Sequence, residues 1–321
     1  MPSRFLLLGP WKTNTGPANV NNGFVKFCDD CMSYIHTSGL FSKLERLRLL
    51  FYPAVVISGG ISDLELTLCK LFHKKMIYIM HGCGKYESEI NNLGLPQVFF
   101  DREDKTLKEA HIIACVSSKY AKWVANRYPQ YAHKITYINN GLNLAVRPIQ
   151  IKEPYSIAIS GGNRHQKKNE VVCKAVKELH KLGYNCKVYA FGREYPNNED
   201  IFSYDFVHKM GHLDKEDYYS ALDSISLYVI NSIVESCGLV VGDALNCNCS
   251  LLMSEGVGAA SIMETREEDI IKDCNNVDEV AAKIIHLLEH ANSSRLYNSI
   301  DIEAVSEHKA YINLKRIVDE A

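Results

Sequence analysis

The chain has 321 residues, 46 % of them hydrophobic and 23 % charged. That balance supports a packed core of one or two domains and argues against disorder. The net charge of −2 is uneven: residues 1–146 carry 17 Lys and Arg against 11 Asp and Glu, a net +6, and the remainder carries 19 against 27, a net −8. A basic front half suits an anionic surface or phosphate-bearing ligand, whereas the modest excess and the lack of aromatic–basic motifs argue against nucleic acid.

The opening "RFLLLGP" predicts a strand stopping at Gly9–Pro10 and is too short for a signal peptide. The 11 cysteines are therefore expected to be reduced thiols of a cytoplasmic protein, and no apolar run is long enough to span a bilayer. "TGPANVNNGFVKFCDDCMSYI" predicts a helix. Cys28 and Cys31 within it have the spacing of half a zinc site, but no second half follows, so core cysteines are expected and no metal. "SGLFSKLERLRLLFYP" predicts a surface helix, with Lys43, Arg46 and Arg48 placed to meet anionic lipid if that helix touches the inner face of a membrane. Strands follow in "PAVVISGG", "KKMIYIMHG", "AHIIACVSS" and "HKITYINNG", and the serines of the third can cap the helix "SKYAKWVANRYP".

The pattern restarts after a Pro-containing segment, 144–154. "YSIAISGG", "NCKVYAFG", "VHKMGHL", "ISLYVINS" and "CSLLMSEG" are strands, and "EVVCKAVKELHKLG" and "VDEVAAKIIHLLEHA" are helices. Strands separated by helices imply parallel sheets. The expected fold is α/β: two Rossmann-like doubly wound domains, 1–145 and 150–300, facing a central cleft. The stretch "LYNSIDIEAVSEHKAYINLKRIVDEA" reads as helix, with about 300–321 packing on the second domain or crossing back to the first.

Three stretches carry candidate chemistry. In "SGGNRHQKKNE" two glycines end a strand and precede Arg164, Lys167, Lys168 and a helix, which together make a diphosphate clamp. In "ESCGLVVGDAL" the amides of Gly238, Leu239 and Val240 open a helix and suit a phosphate, Glu235 sits at a strand end facing sugar hydroxyls, and Asp243 is placed to accept bonds from a ribose. Taken alone, the spacing of those two acids favours an N-cap cluster plus one surface acid. In "YIMHGCG", His81 ends a strand and suits a polar ligand or a structural role. The first loop, "GPWKTNTGPANVNNG", lacks G-x-G-x-x-G, and the chain has no G-x-x-x-x-G-K-[ST]; this argues against a nicotinamide dehydrogenase and a P-loop NTPase.

The order of these features resembles the retaining GT-B glycosyltransferases of family four (glycosyl transferases group 1). "KEAHIIACVSSKYAKWVANRYPQYAHKITYINNGLN" is similar to the segment ending the family's first domain, with Asn140–Gly141 at its Asn-Gly. "SGGNRHQKKN" is similar to its phosphate loop, and "VINSIVESCGLVVGDALN" to its motif of two acids, usually both glutamate, with Asp243 as the second and Cys237 in place of an aromatic. The resemblance implies that Arg164 and Lys168 hold the donor diphosphate, with Lys167 as the rival. It implies that Glu235 meets the donor sugar, that Gly238, Leu239 and Val240 support sugar or phosphate, and that Asp243 binds the ribose. It places His81 near the transferred sugar and Gly16 near the phosphates. The implied activity is hexosyl transfer with retention, without metal or cofactor, from a nucleotide sugar (UDP- or GDP-linked) to a glycan or lipid-linked acceptor in bacterial surface polysaccharide or glycolipid synthesis. The alternative is a catalytically silent GT-B subunit that binds glycan or a partner enzyme.

Overall fold

Four apolar residues and a glycine, all buried, form β1 (Phe5–Gly9) in the computed structural model, which describes residues 4–10, 15–28, 30–33, 46–59, 63–145, 147–196 and 198–321. The chain forms two units: one comprises Met1–Glu89, Leu93–Leu142 and Glu303–Ala321, the other Ile90–Asn92 and Asn143–Ile302.

In the first unit, β1 leads into α1 (Gly16–Val25), whose N-cap is Thr15. β2 (Cys31–Ser33), β3 (Ala54–Ser58) and α2 (Asp63–Leu71) follow, then β4 (Lys75–Met80), α3 (Gly84–Asn91), α4 (Gln97–Glu109), β5 (Ile112–Cys115), α5 (Ser118–Arg127) and β6 (Ile135–Tyr137). Among the described residues these strands make one sheet in the order β2-β1-β3-β4-β5-β6, every pair parallel. Strands covered on both faces are apolar throughout, which is why β1, β3 and β5 read as unbroken runs. The expected helix does not extend through the two cysteines: α1 ends at Val25, Cys28 follows it, and Cys31 begins an edge strand.

The second unit holds β7 (Glu153–Ser160), α6 (Asn169–Lys181), β8 (Lys187–Phe191), β9 (Val207–Gly211), α7 (Lys215–Asp223), β10 (Ile225–Ile230), α8 (Val240–Asn246), β11 (Ser250–Ser254), β12 (Ile270–Ile271), α9 (Val277–Glu289) and α10 (Ser293–Asn298). Its sheet runs β12-β11-β10-β7-β8-β9, again all parallel among the described residues. The apolar faces of α6 (Val172, Val176, Leu179) and α9 (Val280, Ile284, Leu287) close over Ile157, Val188, Leu227 and Leu252. Burying one such side chain stabilises the fold by roughly 1.5–3 kcal/mol.

The C-terminal stretch is broken, not one helix. α10 ends at Asn298 and α11 (Glu307–Glu320) starts anew, with Ser306 as N-cap accepting from the Lys309 amide. α11 belongs to the first unit, where it buries Ala310, Leu314, Ile317 and Val318, and Lys75 Nζ donates to the Val318 carbonyl at 3.1 Å. A Cβ on Gly141 would stand 2.5 Å from the Glu307 Cα, so the start of α11 rests against a position that only glycine leaves open.

Candidate active site

In each sheet the strand order reverses once. In the second unit β7, β8 and β9 run to one side and β10, β11 and β12 to the other, so the reversal falls between β7 and β10. Doubly wound sheets bind ligands beyond the carboxyl ends of the strands at such a point. Here those ends are the loop after Ser160 and the loop after Ile230.

After β7, Gly161 and Gly162 take φ of +88° and +60°, which glycine adopts without strain. A Cβ on Gly162 would overlap the Arg193 carbonyl oxygen. A Cβ on Gly161 would lie 2.9 Å from Lys167 Cγ and 3.0 Å from Arg164 Nη2, so both cationic side chains lie over this glycine. A 3₁₀ turn, His165–Lys167, aims Lys167 at the loop after β10, where its ammonium pairs with the Glu235 carboxylate. The pair is largely buried, at 12 % and 18 % side-chain exposure. Burial opposes the charge on Glu235, but the Lys167 ammonium outweighs it, with Arg164 and Ser232 adding to the effect, and the carboxyl is held below its ordinary range. Glu235 is therefore an acceptor for hydroxyl groups at neutral pH and not a proton donor.

The two loops are braced together. Ile233 N donates to the Gln166 carbonyl at 2.9 Å, and Gln166 Nε2 to the Val234 carbonyl at 2.7 Å. Glu235 is held from the other side by its amide on the Gly256 carbonyl and its own carbonyl on the Gly258 amide, both 2.9 Å.

Lys168 is not brought to Glu235. It takes φ +51° at the start of α6, is buried, and its Nζ lies 3.3 Å from His165 Nε2 and 3.5 Å from Glu170. Of the two lysines, Lys167 is thus the one that meets Glu235. Gly238, at φ +85°, turns the chain into α8, with Leu239 as its N-cap and Val240 its first residue. Asp243 falls in the first turn of that helix, and its Oδ1 accepts from the Tyr219 hydroxyl at 2.5 Å. Burial pushes the Asp243 carboxyl up, against the pull of Tyr219 and Lys215. Tyr219 and Ser232 were not singled out from sequence; a tyrosine on α7 gives no sequence sign of meeting an acid 24 positions on.

In the first unit the reversal falls between β1 and β3. His81 directly follows β4, the next strand over, and its Nε2 lies 2.6 Å from the Ser58 hydroxyl at the end of β3. Burial lowers the His81 pKa to about 4. Ser58 bonds Asn21 of α1 at 2.6 Å. Asn21 was also missed, although a polar residue in the core-facing series Ala18, Asn21, Phe24 is the signal that marks it. Gly16 opens α1, and no described atom lies within 4 Å of a Cβ placed there. Lys43 lies outside the described residues; in the 3₁₀ turn Arg46–Phe51, Leu49 is buried and Phe51 exposed. Among the described residues no helix is long and apolar enough to cross a membrane, and no group of three or more His, Cys, Asp or Glu side chains is placed to hold a metal ion.

Two doubly wound parallel-sheet units of this kind make the GT-B fold. The chain shares it with HepE of Anabaena, solved with UDP-glucose, at 12 % identity and a TM-score of 0.72 over 99 % of this chain and 100 % of that one. It shares it also with a glycosyltransferase from Rickettsia africae (13 %, TM-score 0.63, all of both chains) and with the pneumococcal O-GlcNAc transferase GtfA, solved with UDP and GlcNAc (16 %, TM-score 0.61, 83 % of this chain and 56 % of that one). Residues 154–290, which hold the Lys167–Glu235 pair, match the family model described as Glycosyl transferases group 1. No curated protein is significantly similar in sequence. The family match lies within the second unit, and the likeness to solved structures shows the fold.

Proposed function

We propose that the chain is a glycosyltransferase that moves a hexosyl group from a UDP-sugar to a hydroxyl of a glycan or lipid-linked glycan, with retention of configuration. The observation carrying this reading is the buried Lys167–Glu235 pair, set over Gly161 at the point where the second sheet reverses. Similar structures were solved with UDP-glucose and with UDP and GlcNAc, which favours a UDP-linked donor here.

In the proposed reaction the acceptor oxygen bonds to the anomeric carbon as the bond from that carbon to the diphosphate oxygen breaks. The electron pair leaves with the diphosphate, which takes up the acceptor's proton on the same face. Lys167 and Arg164 stabilise the charge growing on the leaving group. Glu235, ionised, accepts bonds from hydroxyls of the donor sugar, and the Gly238–Val240 amides support sugar or phosphate. Asp243, oriented by Tyr219, takes the ribose hydroxyls. No step calls on a metal, so turnover is expected to survive a chelator. Synthesis of a bacterial surface polysaccharide or glycolipid is the role proposed for the product, at the inner face of the membrane if the acceptor is lipid-linked.

The donor is tested by thermal-shift screening against UDP-, GDP-, ADP- and dTDP-sugars, since a ligand that binds the native state raises its melting temperature. Retention is tested by NMR of the anomeric proton of the product. Stabilisation by UDP-sugars and a product of the donor's anomeric form are expected. A product of opposite anomeric form overturns the mechanism, and binding without nucleotide release at any acceptor favours the silent-subunit alternative.

A further inference from the structure

Three polar side chains in the first unit form a hydrogen-bonded chain whose direction is fixed by chemistry. At its far end, Asn21 Nδ2 donates to the Pro10 carbonyl at 2.8 Å. A carbonyl only accepts, so the nitrogen of that amide faces Pro10, and the oxygen faces Ser58. Asn21 Oδ1 in turn only accepts, so the single hydroxyl proton of Ser58 goes to it, over 2.6 Å. The Ser58 oxygen is then left with lone pairs toward His81, and the contact at 2.6 Å requires that His81 Nε2 carry the proton.

The chain is rigid as well as directed. Asn21 and Ser58 are both 0 % exposed. Gly9, at the end of β1, makes the room: a Cβ there would lie 2.6 Å from Asn21 Nδ2 and 2.8 Å from the Ser58 carbonyl oxygen. The four residues come from α1 and from the carboxyl ends of β1, β3 and the residue after β4, around the reversal of the first sheet. An apolar pair at positions 21 and 58 would pack at least as well in a purely structural core.

We propose that Asn21 and Ser58 are positioning residues that lock His81 as the Nε2–H tautomer, so that its Nδ1 accepts a hydrogen bond from a sugar hydroxyl. The inference rests on the glycosyltransferase reading for the identity of the ligand, but the tautomer follows from the first unit alone. Burial, which keeps the ring neutral, preserves the Nδ1 lone pair across the physiological range. A tautomer flip would turn that acceptor into a donor and set two lone pairs, of Nε2 and of the Ser58 oxygen, against each other.

The test is ¹⁵N NMR of the histidine rings in the full-length protein, with His81 assigned by its loss in His81→Gln. The expected result is an Nε2–H ring in the wild type, a mixture of tautomers in Ser58→Ala, and the wild-type form again in Ser58→Thr, which keeps the hydroxyl. In parallel, turnover of UDP-glucose should show kcat reduced about tenfold in Ser58→Ala, the scale of one lost positioning bond, and restored in Ser58→Thr. An Nδ1–H ring in the wild type, or an unchanged tautomer in Ser58→Ala, overturns the relay. If Ser58→Ala does not fold, the wild-type tautomer and the Asn21→Leu variant decide the same point. A wild-type protein with the Nε2–H ring that releases no nucleotide from any sugar donor would count against the glycosyltransferase reading and leave the relay standing.

Discussion

Replacing Gly161 by alanine separates the chemistry of the second unit from its stability. The residue sits at φ +88°, where a side chain costs roughly 1–3 kcal/mol. The added Cβ would meet Lys167 Cγ at 2.9 Å, Lys167 Cε at 3.0 Å and Arg164 Nη2 at 3.0 Å. These are atoms of long, flexible side chains, so they swing aside and the backbone stays. The expected loss of stability is therefore about 1–3 kcal/mol, a fall in melting temperature of roughly 2–10 °C. Turnover should fall much further. In the proposed reaction both cations then leave the place where charge develops, and loss of one such group typically costs about 10²–10³ in kcat. Gly162→Ala is the control. Its Cβ would overlap the Arg193 carbonyl oxygen, a backbone atom that cannot swing away, so this variant should lose more stability than Gly161→Ala. The assays are a thermal melt and nucleotide release from UDP-glucose. A Gly161→Ala enzyme with turnover within threefold of wild type would refute the assignment of Lys167 and Arg164 to the leaving group, and a Gly162→Ala protein milder than Gly161→Ala would refute the packing argument.

Three further outcomes follow from the same geometry. Lys167→Ala should lower kcat at least a hundredfold and Lys168→Ala less than tenfold, because only Lys167 meets Glu235; equal losses would contradict this. Asp243→Asn should raise the donor KM about 10- to 100-fold with kcat within threefold, the pattern of a lost charged bond felt equally in ground and transition states; a collapse of kcat at constant KM would speak against ribose binding. The Glu235 carboxyl is held below its ordinary 4.5, so the folded state binds that proton less readily than the unfolded chain. Its contribution to stability is complete above about pH 4.5 and is lost as pH falls through the lower folded value. Melting temperature should thus drop more steeply from pH 5 to pH 3 in the wild type than in Glu235→Gln, and parallel curves would show that the pair does not stabilise the fold.

Buried parallel strands were legible because both of their faces are apolar, as in Phe5–Gly9, Ala54–Ser58 and Ser250–Ser254. The helix Gln97–Glu109 was not, since it buries only Thr106 and Leu107 and gives no apolar stripe. The break between α10 and α11 hid behind apolar residues at Ile300, Ile302 and Val305 that keep a helix-like spacing, although Ser306 supplied a capping signal. Within the site, the glycines and basic residues of the loop after β7 were readable, but not which lysine faces inward. That choice is made by one 3₁₀ turn and a left-handed Lys168, and three-residue turns leave no periodicity in a sequence. Asn21, Ser58 and His81 are 23 or more positions apart and meet only because β1, β3 and β4 lie side by side, a strand order the sequence does not spell out.

We propose sugar transfer from a UDP-linked donor at the Lys167–Glu235 site. It is tested most directly by following a labelled sugar from UDP-sugar donors onto a panel of glycan and lipid-linked acceptors, with nucleotide release measured in the same reaction. The wild type should form labelled product and release UDP in equal amounts, and Lys167→Ala should form product at less than a hundredth of that rate. Product formation by Lys167→Ala at the wild-type rate, or a wild-type protein that forms none with any donor and acceptor, would contradict the claim.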